Sequence, residues 1–146
     1  MIEAVGHEYL PGFFAKCQSL LKDSGAMLIQ AITIADQRYS HYLKNSDFIQ
    51  QYIFPGGMLP APARLREEIE GAGLKWRSDF GMAASYARTL LDWNQRFQDA
   101  WPQVQALRAS FDERFRRLWE YYLIYCAVGF ESPRLDVKQI ALSRPA

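Results

Sequence analysis

Ala26 to Ile34 reads AMLIQAITI, a run interrupted by only two polar residues, Gln30 and Thr33. It is short, rich in isoleucine and opened by the turn residues Asp23-Ser24-Gly25. A run of this kind predicts a strand buried on both faces, as in the interior of a parallel sheet. Just upstream, Pro11 suits the first turn of a helix, and Phe13, Phe14, Cys17, Leu20 and Leu21 recur at helical spacing. Helix then strand across a tight turn is the α/β repeat. A strand covered on both faces needs neighbours on either side, and the rest of the chain offers few. Part of the sheet is therefore expected upstream of Met1, where Met1 to Val5 reads as the end of a strand.

Downstream, residues 36–60 are polar and aromatic and end in Tyr52-Ile53-Phe54-Pro55-Gly56-Gly57, which forces a loop. Pro60 to Ala72 predicts a helix, and Leu74 to Phe80 a strand. Tyr86, Leu90, Trp93, Phe97 and Trp101 form an apolar stripe at steps of three and four, the mark of an amphipathic helix. Phe111, Phe115, Leu118, Tyr122, Tyr125 and Gly129 form a second, with Asp112 and Glu113 suited to its first turn. Leu135 to Leu142 partly alternates and predicts an edge strand. No internal repeat or low-complexity tract is present.

Composition sets outer bounds. The chain has 146 residues, 49% hydrophobic and 23% charged, which is ordinary for a single globular core. A net charge of +1 argues against nucleic acid as a partner. Aromatic residues reach 14%, an excess that core packing explains and that an apolar ligand pocket also uses. Cys17 and Cys126 form neither a CxxC pair nor a zinc spacing, which fits a reducing, cytoplasmic compartment. No run of about 18 apolar residues is present, so no transmembrane segment is expected. Glu3, His7 and Glu8 interrupt any signal peptide. His7 and His41 lack ligand spacing, and no metal is expected.

The specific signal lies in blocks. They are Glu3-Ala4-Val5-Gly6-His7; Leu28-Ile29-Gln30-Ala31-Ile32-Thr33-Ile34; Asp47-Phe48-Ile49 with Tyr52 to Gly57 and Leu59-Pro60; and a long final block. That block runs from Tyr86, Thr89-Leu90, Trp93 and Arg96-Phe97 through Phe111 to Phe115, Trp119 and Tyr121-Tyr122-Leu123 to Cys126 and Gly129-Phe130. In this order they resemble the second half of the cyclopropane fatty acid and mycolic acid cyclopropane synthases. The resemblance implies an α/β class, the C-terminal part of a class I (Rossmann-like) methyltransferase fold with added helices forming a lipid pocket. Residues 1–146 would then be the C-terminal portion of one catalytic domain, lacking the cofactor-binding part with its glycine-rich loop.

The implied activity is S-adenosylmethionine-dependent methyl or methylene transfer to the cis double bond of an unsaturated phospholipid acyl chain, at the inner face of the membrane. Such a site must stabilise a transient carbocation with aromatic faces, accept its proton and exclude water. The resemblance assigns a bound bicarbonate ion as the base. Its cradle would be Glu3, Gln30, the Ile32 backbone and Tyr86, with Cys126 in support. Several family members carry histidine at the position of Gln30, and glutamine cannot share a proton as imidazole does. Taken alone, each residue has a plainer reading. Glu3 is a solvated carboxylate, Gln30 a structural hydrogen-bonder, Tyr86 core and Cys126 inert packing. Arg108, Arg114, Arg116 and Arg117 read as a solvated face, with anionic lipid headgroups as the alternative. Two further readings accompany the enzyme: a non-enzymatic lipid-binding remnant, and one half of a split enzyme pairing with a separate N-terminal half or forming a homodimer.

Overall fold

In a computed structural model that describes residues 1–145, the chain forms two compact units. The first comprises Met1–Met82 and the residues from Arg134 onward; the second is Ala83–Pro133.

The first unit opens with two short 3-10 turns, Ile2–Ala4 and His7–Tyr9, where a strand end was expected. Gly6 lies between them at φ 86°, a left-handed value that lets the backbone reverse there. Then follow α1 (Leu10–Leu20), β1 (Ala26–Ile34), α2 (Asp36–Tyr42), α3 (Phe48–Tyr52), α4 (Pro62–Gly71) and β2 (Lys75–Gly81), with β3 (Leu135–Ser143) completing the unit. Pro11 and Pro62 sit in the first turns of α1 and α4, where a missing N–H costs nothing. Asp47 accepts from the Gln50 N–H at 2.9 Å while the Gln50 side chain accepts from the Asp47 N–H at 3.0 Å, a reciprocal cap that starts α3.

The sheet order is β1-β3-β2, with β3 antiparallel to both neighbours, so β1 and β2 run parallel to each other. Two expectations are corrected here. β3 is the central strand, not an edge. β1 is not covered on both faces: Ile29 and Ala31 are buried, whereas Ala26, Leu28 and Gln30 are exposed. The near-continuous apolar run hides an alternation, because Leu28 lies on the open face at 64% exposure. The other face carries the core, where Ile29, Ala31, Ile140 and Leu142 meet Leu10 and Phe14 of α1 and Leu65 and Ile69 of α4. Each such side chain contributes about 1.5–3 kcal/mol on burial.

The second unit is helical: α5 (Ala83–Asp99), α6 (Trp101–Leu107) and α7 (Glu113–Glu131). The single helix expected to reach Trp101 breaks at Ala100, and Pro102 starts the next. Tyr86 meets Phe130 and Phe97 meets Phe115, so α5 and α7 run antiparallel. Ala87 and Leu90 of α5 and Leu123, Ala127 and Phe130 of α7 are buried. Aromatic contacts continue through Phe97–Trp101, Phe111–Phe115, Phe115–Trp119 and Trp119–Tyr122, so much of the aromatic excess is packing within this unit.

Candidate functional site around the Glu3 carboxylate

Ile2 is 1% exposed and Leu10 0%, and these two buried side chains pin the opening turns to the first unit. Between them Glu3 is held at three points. Its Oε1 accepts from the Ile32 N–H at 2.8 Å, its Oε2 lies 3.0 Å from the amino group of Met1, and its carbonyl accepts from the Met58 N–H at 2.7 Å. Burial pushes the Glu3 carboxyl up. The Ile32 N–H, its own backbone N–H and the terminal ammonium outweigh this and hold it below the usual carboxylate range. Glu3 is thus a fixed, ionised carboxylate, not a freely solvated one; its side chain is 25% exposed.

The donor at Ile32 is available because of the sheet order. β3 covers one side of β1, and on the opposite side Ile32 donates to Glu3 while Ile34 donates to the Pro60 carbonyl at 3.1 Å. The segment Met58 to Pro60 therefore straps the end of β1. Gly56, at φ 81°, turns the chain into this strap. Gln50 Nε2 fixes it by donating to the Gly57 carbonyl at 2.9 Å, and the Leu59 N–H donates to the Tyr42 hydroxyl at 3.2 Å. The Tyr52 to Gly57 motif, so prominent in sequence, therefore acts by placing the residues that follow it.

Sequence reasoning passes over two neighbours. His7 Nδ1 lies 2.6 Å from the Tyr39 hydroxyl, and that hydroxyl is 3.8 Å from the Met58 sulfur. Burial pushes the Tyr39 phenol up. This clasp ties the opening turns to α2 and to the strap, and only the pairing of a histidine with a distant tyrosine in space reveals it.

The structure brings Glu3 and Ile32 into direct contact. Gln30 lies two residues before Ile32 on the same strand, and its Oε1 accepts from Gln139 Nε2 of β3 at 3.1 Å. Gln30 is exposed on the open face, not buried in an apolar strand, and β3's central position supplies the partner. Tyr86 and Cys126 belong to the second unit. Tyr86 packs its ring 5.6 Å from that of Phe130. Cys126, half-buried on α7, neighbours Tyr122, whose phenol is pushed up first by burial and then by the thiol.

The pattern of the mycolic acid cyclopropane synthetase family matches residues 1–140. The tuberculostearic acid methyltransferase of Mycobacterium tuberculosis is 40% identical, over 99% of this chain and 34% of its own length. The cyclopropane-fatty-acyl-phospholipid synthase of Escherichia coli is 33% identical over 99% of this chain and 36% of its own. The chain thus spans about a third of the curated relatives it matches. Among solved structures, a mycolic acid cyclopropane synthase complexed with SAH and CTAB superposes with a TM-score of 0.84 at 28% identity, over 98% of this chain and 52% of that one.

Proposed function

The chain belongs to the mycolic acid cyclopropane synthetase family, and from that premise we propose that it is the C-terminal part of an S-adenosylmethionine-dependent enzyme. The enzyme transfers one carbon to the cis double bond of an unsaturated phospholipid acyl chain, and works at the inner face of the membrane. One observation carries this onto the residues at hand: Glu3, held ionised and immobile by the Ile32 N–H at 2.8 Å. Proton removal from a methylated alkene needs a fixed, charged acceptor, or a fixed group to orient one. In support, one relative is named for fatty-acyl phospholipid, and one solved neighbour holds SAH together with a lipid-like detergent, CTAB. No helix among the described residues is long and apolar enough to cross a membrane.

S-adenosylmethionine would supply the carbon. Among the described residues no glycine-rich turn joins a strand to a helix, since Ala35 follows β1 and Met82 follows β2. These residues do not by themselves fit that cofactor. Bicarbonate suits the chemistry of the Glu3 site better. An ionised carboxylate can accept its single O–H, and an amide such as that of Gln30 is of the type that donates to its oxygens. When bound it would supply the proton acceptor. In this reading Glu3 orients the ion and the Ile32 N–H keeps Glu3 charged and still. Tyr86 and Cys126 take their roles, donor and support, from the family resemblance.

The test uses the protein in the length its source encodes, labelled S-adenosylmethionine and vesicles of an unsaturated phosphatidylglycerol. Label is expected in the acyl chains, and Glu3→Gln is expected to lower its rate of incorporation more than ten-fold with the far-UV spectrum unchanged. Incorporation by Glu3→Gln at the native rate would remove the assigned role. No incorporation by the native protein would leave lipid binding without catalysis. The higher identity to a methyltransferase named for tuberculostearic acid favours a second reading, in which the product is a branched chain. Proton resonances of a ring methylene in the purified lipid decide between them.

A further inference from the structure

The helix α7 is apolar on two opposite sides. At 100° per residue, Leu123, Ala127 and Phe130 share the side that is buried. Opposite them, Arg114, Arg117, Leu118, Tyr121, Ile124, Tyr125 and Val128 fall within one arc of about 120°. Tyr121 is 53% exposed and Val128 55%, while Leu118, Ile124 and Tyr125 are half-buried, so this second apolar side is open to solvent in part. Tyr121 and Tyr125 stack along it with ring centroids 5.9 Å apart. No acidic residue falls in the arc, for Glu113, Glu120 and Glu131 all line one flank.

The structure also sorts the arginine cluster. Arg116 turns inward, donating to Gln98 Oε1 at 2.8 Å with its guanidinium over the Trp101 ring. Arg114 and Arg117 remain exposed at the N-terminal end of the arc, Arg117 with its side chain 78% exposed beside Glu113. Along the arc the two cations come first, and Leu118, Tyr121, Ile124, Tyr125 and Val128 follow without a charge among them. A helix lying at an anionic bilayer surface uses such a division, with cations at the phosphates and tyrosine and aliphatic side chains at the headgroup–acyl boundary. A self-complementary interface between two copies would not require two cations at one end of the face.

We propose that this outer face of α7 docks the protein on an anionic bilayer, with Arg114 and Arg117 at the phosphates and Tyr121, Tyr125 and Val128 at the headgroup–acyl boundary. The inference deepens the proposed function, since it names the surface through which the chain reaches a bilayer-held acyl chain. Binding is read without turnover, so the two can fail separately.

The test is flotation of the full chain with phosphatidylcholine vesicles, with and without phosphatidylglycerol. The native chain is expected to float with the anionic vesicles and to be released by salt. Tyr121→Ser with Val128→Ser is expected to weaken binding at least ten-fold. Arg114→Gln with Arg117→Gln is expected to reduce it to the level seen on phosphatidylcholine alone. Arg88→Gln on α5 and Glu3→Gln are expected to bind as the native chain does. Helix content by circular dichroism guards against unfolding. The proposal is overturned if the native chain fails to float, or if both double variants bind normally. It is equally overturned if Tyr121→Ser with Val128→Ser abolishes a dimer seen by sedimentation while vesicle binding persists, because the face would then belong to a second copy.

Discussion

At Asp79 three different groups converge on one carboxylate. Lys138 Nζ donates at 2.8 Å and Trp76 Nε1 at 3.0 Å, and the Arg66 guanidinium lies over the same Trp76 ring at 4.4 Å. The Lys138 hydrogen bond, partly opposed by burial, holds the Asp79 carboxyl below its usual range, and Asp79 in turn raises the Lys138 ammonium. A carboxyl depressed on folding stabilises above its unfolded value of about 3.9 and loses that stabilisation as pH falls through the lower folded value. The raised ammonium contributes below about 10.4 and loses its contribution as pH rises through the higher folded value. Asp79→Asn is therefore expected to cost about 0.5–1 kcal/mol across neutral pH, discounted for partial exposure. The deficit should vanish in acid, and urea titrations at several pH values check it.

The same scale shows what a sequence can carry about a site. Glu3 is unremarkable in one dimension, because its partner Ile32 lies 29 positions away and offers only a backbone N–H. Only the family resemblance singles it out. Gln30 stands out among apolar neighbours, but its partner Gln139 is 109 positions distant and follows only from the register of β1 against β3.

Among elements, those with their own stop and start signals are legible. Asp112 caps α7 by accepting from the Phe115 N–H at 2.9 Å, and the helix runs much as its apolar stripe predicts. Asp112→Ala is expected to cost about 1 kcal/mol, read as a lowered midpoint in thermal unfolding, with Asp112→Ser recovering most of it. The helices α2 and α3 escape a periodicity reading because they span only 7 and 5 residues. They are held by reach-over contacts such as Asp36 Oδ1 to the Ala63 N–H at 2.8 Å and the Asp47–Gln50 cap. The position of β3 was hidden for a different reason. A strand's own alternation reports which face is buried, and says nothing of how many neighbours flank it.

At the scale of the whole chain, one apolar surface left uncovered is the open face of the sheet. Leu28 and Phe80 are 64% and 65% exposed there, on the two strands flanking β3. Large apolar groups on an open sheet face favour association. Leu28→Lys with Phe80→Lys is expected to raise the concentration at which the chain stays monomeric in sedimentation, with unfolding cooperativity retained. If self-association is unchanged, this face is not its cause.

The central place of β3 also bears on how the protein is made. β1 and β2 do not pair with each other, and of the three strands described the one between them, residues 135–143, is the last to leave the ribosome. The helical unit, complete by Pro133 and built from near-neighbour contacts, is free to fold while synthesis continues. The strand made last is thus threaded between two already synthesised, and this part of the sheet closes only after the helical unit is complete.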